Sequence, residues 1–310
     1  MLSRYRARAA AVAAGLALLL SGCSTSFAFG LGDPGGRIFA VGAENEYANV
    51  IQQVGGKYVQ VSAILSNPNT DPHTFEASAA VGRLLNEAQL VVQNGAGYDT
   101  FMNTIEGAVP SSSRKLIVVQ DRLGLPESTP NPHLWYRPGT MSAVADAIAT
   151  DLTAIQPAHA AYFKARAAAF ARSLNAWTSA IAAFKSTYPG TPVATTEPVA
   201  DYLLQAIGAR NLTPWAFQAD IMNGTDPSAQ DVAAERNLFT QHRVKVLVYN
   251  QQVTDSLTES FITLAKANGI PVVGVYETMP EPGYDYQSWM LAEVQAIRHA
   301  VANRVSTEHL

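Results

Sequence analysis

Cysteine is almost missing from this chain. Of 310 residues only Cys23 is a cysteine, so no disulfide can form within one molecule. Runs of positive charge are missing as well. The formal net charge is -4, and no Lys/Arg cluster supplies the electrostatic footprint that nucleic acid needs, which excludes it as a partner. No G-x-x-x-x-G-K phosphate cradle occurs, so nucleoside triphosphate chemistry has no support. No G-x-S-x-G elbow occurs either, which leaves acyl transfer by a serine unsupported. The apolar run Ala9–Leu20 has only twelve residues, short of the roughly twenty that a membrane helix needs.

What is present begins with Arg4, Arg6 and Arg8 ahead of that apolar run, the charged start and hydrophobic middle of an export signal over residues 1–22. The tetrad Leu20-Ser21-Gly22-Cys23 resembles the bacterial lipobox, which implies that Cys23 carries the lipid anchor and becomes the mature N-terminus. A two-chain adduct suffices to hold a protein on a bilayer, and a lipidated Cys23 cannot be a nucleophile. The expected location is the extracytoplasmic face of the membrane. Residues 23–36 read as a tether rich in Ser, Gly and Phe.

Globular sequence starts near Arg37, and 48% hydrophobic residues give ample core material for two domains. Short β-type runs alternate with helical patterns over 37–156, and the near-continuous apolar run Leu90-Val91-Val92 suits a parallel strand covered on both faces. Over 157–187 apolar residues recur at steps of four and three, at Phe163, Ala167, Phe170, Leu174, Trp177, Ile181 and Phe184, which predicts one long helix of roughly 45 Å. The strand and helix alternation resumes over 188–310. The fold expectation is α/β: two lobes, each a mostly parallel sheet flanked by helices, joined by that helix.

Two histidines stand apart. His73 lies in Asp71-Pro72-His73 and His133 in Asn131-Pro132-His133, each in a loop after a first-lobe strand, where open α/β sheets place their ligands. Proline fixes φ and removes a donor, so such a loop holds its imidazole with little freedom. One isolated X-Pro-His is an ordinary turn; two in one lobe point to a ligand pair. His159, His242 and His299 fall in helices or at helix ends and read as solvated or capping residues, and His309 adjoins the C-terminus.

Three stretches, Asp71-Pro72-His73-Thr74-Phe75-Glu76, Val92-Gln93-Asn94-Gly95-Ala96-Gly97-Tyr98 and Asn131-Pro132-His133-Leu134-Trp135, resemble the metal-binding subunits of ABC importers for manganese, zinc or iron. That resemblance covers nearly the whole mature chain. It implies a metal site in the cleft between two lobes joined by a single rigid helix, with two ligands from each lobe. His73 and His133 are the first two. The third slot, after the first strand of the second lobe, holds Glu197, which also suits a helix N-terminus. Glu277 matches the fourth in position, with Asp285 as its rival. A departure is Arg137, where relatives commonly carry Asp after the Trp.

Two imidazoles and two carboxylates carry a formal charge of -2, which neutralises a divalent ion. Hard carboxylate oxygens lean toward manganese, with zinc and iron(II) as the other candidates. The resemblance implies a monomeric carrier delivering its ion to an ABC permease, with no enzymatic activity. The competing readings are a metal-dependent hydrolase, which needs an open coordination position and a general base, and a surface adhesin lipoprotein with incidental histidines.

Overall fold

A computed structural model of the protein describes residues 36–67, 75, 78–280 and 282–310. The export segment, the anchor Cys23, most of the tether and the candidate ligand His73 lie outside them.

The first half runs β1 (Ile38–Glu44), α1 (Asn45–Gly55), β2 (Val59–Leu65), α2 (Ala79–Glu87), β3 (Leu90–Gln93), α3 (Thr100–Ala108), β4 (Lys115–Val118), α4 (Val119–Arg122) and α5 (Thr140–Ile155). Next come α6 (Ala160–Ser173) and α7 (Asn175–Thr187). The second half runs β5 (Pro192–Thr195), α8 (Asp201–Ala206), β6 (Arg210–Asn211), α9 (Trp215–Met222), α10 (Ala229–Thr240), β7 (Leu247–Asn250), α11 (Ser256–Ala267), β8 (Val272–Val275) and α12 (Tyr286–Asn303).

Two sheets result, with strand orders β2-β1-β3-β4 and β6-β5-β7-β8, and every strand pair is parallel. The expected α/β class and the parallel sheets are therefore present. Leu90, Val91 and Val92 are fully buried, as a strand covered on both faces requires. Parallel strands put all their C-terminal ends on one edge of a sheet, so Glu44, Asn94, Glu197, Asn250 and Glu277 emerge from or just beyond such edges.

The predicted apolar face over 157–187 is buried at all seven positions, from Phe163 to Phe184. It is not one unbroken helix. A 3₁₀ turn at Pro157–His159 leads into α6, and Leu174 separates α6 from α7. Beside that junction the Ser173 hydroxyl donates to the Phe170 carbonyl at 2.7 Å. The segment α6 packs on α1 and α5, and α7 packs on α12. One apolar cluster runs through both halves, from Tyr47 and Val50 of α1 through Phe163 and Trp177 to Tyr286 and Trp289 of α12.

Helix ends in the second half are set by local chemistry. Ser228 caps α10 by accepting from Asp231 N–H, while the Asp231 carboxylate takes the Ser228 hydroxyl proton instead of closing the reciprocal arm of a capping box. Asn268 terminates α11, and Gly269 follows with φ of +65°, open to glycine at no steric cost.

Candidate metal centre

His133 sits in a tight reversal. Leu134 N–H donates to the Pro132 carbonyl at 2.7 Å, and His133 has φ -76° and ψ 60°, the geometry of an inverse γ-turn that Pro132 helps to set. The imidazole is fully buried between Tyr98 and Trp135, whose rings meet it edge-on at 5.7 and 5.3 Å.

Asn131 fixes the tautomer. Its Oδ1 accepts from the His133 main-chain N–H at 3.0 Å and lies 2.8 Å from Nδ1, while its Nδ2 donates to the Pro198 carbonyl at 2.8 Å. The amide orientation is thereby determined at both ends. An acceptor beside Nδ1 places the ring proton there and leaves a lone pair on Nε2, the form that binds metals. That Nε2 stands 3.6 Å from Oε2 of Glu277.

Glu277 and Glu197, both buried, are drawn together by Asn250 at the end of β7, 27 and 53 residues away from them in sequence. Its Nδ2 donates to Glu277 Oε1 at 2.6 Å and to Glu197 Oε2 at 3.1 Å. Tyr98, from the first half, donates its hydroxyl proton to Glu277 Oε2 at 2.8 Å. Gln252 Oε1 accepts from the main-chain N–H groups of Glu277 and Thr278 at 2.7 and 2.8 Å and shapes the loop after β8. Asp285 plays a different part. It is the N-cap of α12 in a complete capping box with Ser288.

The structure thus brings His133, Glu197 and Glu277 together and places Asp285 at a helix start. Among the described residues no three His, Cys, Asp or Glu side chains form a closed coordination cluster. The amide of Asn250 occupies the position between the two carboxylates.

Behind this group stands more acid, which the sequence reading did not single out. Glu44 ends β1 and Glu46 lies in the first turn of α1; both are fully buried, and among the described residues none of their four carboxylate oxygens has a hydrogen-bond partner. Burial first, then Asp99 and Glu46, push Glu44 well above the usual carboxylate range. Burial also raises Glu46, with Glu277 adding to it. Asp99, raised to about 6 by burial, accepts from the N–H groups of Asn94 and Gly95 at 2.6 and 2.8 Å and folds the loop that carries Tyr98. Gly95 is required there: its φ is +77°, and a Cβ would meet Gln120 and Val118. Buried ionised carboxylates without compensation cost several kcal/mol each, so this buried group favours either protons or a cation. A neutral imidazole lone pair facing oxygen donors fits a divalent transition-metal ion.

His159 stacks on Tyr58 at 3.7 Å between ring centres, and His242 and His299 are exposed. None of the three approaches the group.

Comparison with known proteins gives a consistent picture. A family model described as "ZnuA: Zinc-uptake complex component A periplasmic" matches residues 41–300. The manganese-binding lipoprotein MntA of Bacillus subtilis is 22% identical over 165 residues, 50% of this chain and 52% of MntA. The zinc-binding protein TroA of Treponema pallidum is 26% identical over 167 residues, 51% of this chain and 54% of TroA. The chain spans about half the length of these curated relatives. Over its full fold it is similar to the SBP FpvC of Pseudomonas aeruginosa in complex with Mn2+, with TM-score 0.71 and 19% identity over 86% of this chain and 99% of that one.

Proposed function

The chain belongs to the family of the periplasmic zinc-uptake complex component A, and on that premise we propose that it is the extracytoplasmic solute-binding protein of an ABC importer, with a divalent transition-metal ion as cargo. The observation that carries the proposal is the His133 Nε2 lone pair held 3.6 Å from Glu277, with Glu197 tied to the same carboxylate through Asn250. We assign the cargo ligands as His73, His133, Glu197 and Glu277. His73 enters from its motif alone. Asp285 is set aside because its carboxylate is engaged in capping α12.

In this reading residues 37–156 and 188–310 are the two lobes and 157–187 their link. Cys23 anchors the protein as a lipoprotein on the outer side of the membrane, a membrane permease receives the ion, and the carrier acts as a monomer without catalysis. The relatives named manganese-binding and zinc-binding support the cargo class. Two carboxylate ligands favour manganese as the physiological ion, with zinc or iron(II) as the alternatives.

The test is thermal melting of the full chain in detergent with and without Mn(II), Zn(II) or Fe(II). Binding to the folded state alone raises the melting temperature by linkage, and elemental analysis should return one ion per chain. His133→Ala and Glu277→Ala should abolish the gain, and His242→Ala should keep it. A wild-type melting temperature indifferent to all three ions refutes the reading.

A further inference from the structure

Glu293 on α12 is fully buried and stands outside the four proposed ligands. Trp289 Nε1 donates to its Oε1 at 2.9 Å, and the Tyr136 hydroxyl lies 3.2 Å from the same oxygen. That hydroxyl also donates to the Tyr276 carbonyl at 2.9 Å and accepts from the Tyr276 N–H at 3.3 Å.

The sequence positions give this junction its meaning. Tyr136 closes the 3₁₀ turn that starts directly after His133, and Tyr276 immediately precedes Glu277. One buried hydroxyl therefore ties the segment presenting a first-half donor to the segment presenting a second-half donor. Tyr286, also on α12, adds a parallel tie by donating to the Trp135 carbonyl at 2.6 Å. A carboxyl placed in a fully buried setting costs free energy that Leu or Met in its place would not. A positional role accounts for that cost.

We propose that Glu293 is a positioning residue of the metal centre: through Tyr136 it sets the separation of His133 and Glu277. The inference rests on the cargo reading above. Burial raises Glu293 to about 8, so at neutral pH it is mainly the uncharged acid, and its Oε1 is the shared acceptor for the Trp289 indole and the Tyr136 hydroxyl. Gln keeps a carbonyl oxygen at that position and Leu keeps no acceptor. Partners that orient metal ligands typically change affinity by about 10- to 100-fold when removed.

The experiment measures the Mn(II) dissociation constant of the full chain in detergent by chelator competition, well below the melting temperature, together with metal-free melting. Wild type, Tyr136→Phe, Glu293→Leu and Glu293→Gln are compared. Tyr136→Phe and Glu293→Leu should each weaken binding by about tenfold or more, and Glu293→Gln should bind close to wild type. Lower melting with an unchanged dissociation constant in Tyr136→Phe and Glu293→Leu would reduce the junction to a stability element and overturn the proposal. Glu293→Gln weakened as far as Glu293→Leu would overturn it too. If Glu293→Leu fails to melt cooperatively, Tyr136→Phe is decided by the same criterion. Wild type that binds no Mn(II), Zn(II) or Fe(II) would refute the cargo reading itself, whereas variants that bind like a competent wild type refute only the role of Glu293.

Discussion

Asn131 has three tasks and four hydrogen-bonding positions to perform them with. It holds the imidazole tautomer, shapes the turn through the His133 N–H, and grips the Pro198 carbonyl one residue beyond Glu197. Asn131→Ala should therefore leave a folded protein whose Mn(II) or Zn(II) affinity, read by chelator competition, drops by about 10- to 100-fold. Asn131→Asp should be the milder change, because a carboxylate still accepts from both His133 nitrogens. At this scale proline beside histidine is a local signal for His133, whereas Glu197 and Glu277 are reached only through the family resemblance, by their positions after strands of the second half. Asn250, Tyr98, Glu44 and Glu46 carry no such signal. An asparagine ending the apolar run Leu247–Tyr249 reads as an ordinary turn residue until two carboxylates from other strands arrive beside it.

Among the elements, α10 holds a second buried acid, remote in sequence from every proposed ligand. Glu235 is 1% exposed, and burial raises it from 4.5 to about 8, with the Thr213 hydroxyl the one influence lowering it. The folded state therefore binds more protons than the unfolded state between those values, and stability falls as pH rises through that window. Its contribution is fully present below about 4.5 and lost above about 8. Urea unfolding of the metal-free chain at pH 5 and pH 9 should show a loss of a few kcal/mol that Glu235→Gln makes smaller. Glu293, also raised to about 8, adds loss in the same direction and remains in the variant.

Strands β1 to β5, β7 and β8 and the apolar stripe of α6 and α7 are readable in the pattern of apolar residues, because burial on two faces or one stripe writes directly into sequence. The two-residue strand β6 is too short to show a period, and α9 has apolar residues on all sides, with Trp215 exposed and Phe217 buried. The interruption at Leu174 is equally silent. The apolar stripe continues past it without a change of step.

At the scale of the molecule, the two halves are joined by directional bonds as well as by apolar packing. Asn45, first residue of α1, donates to the Met279 carbonyl at 2.8 Å and accepts from Met279 N–H at 2.9 Å, both buried. Tyr202 donates to the Asn131 carbonyl at 2.9 Å, and Tyr98 reaches Glu277. Removing one partner of a buried bond strands the other, at about 1–3 kcal/mol. Asn45→Ala should accordingly raise the Mn(II) dissociation rate by about fivefold or more, measured by stopped-flow release into excess chelator. A rate equal to wild type would show that Met279 does not restrain the Glu277 loop.

The Asn45–Met279 pairing also bears on how the loop after β8 can move. Two buried bonds between one side chain and one residue's main chain act as a latch, so displacing the segment that carries Glu277 from the first turn of α1 has to break both at once. On the cargo reading proposed above, release of the ion would be tied to opening that latch, and whatever takes the ion would do its work at this seam.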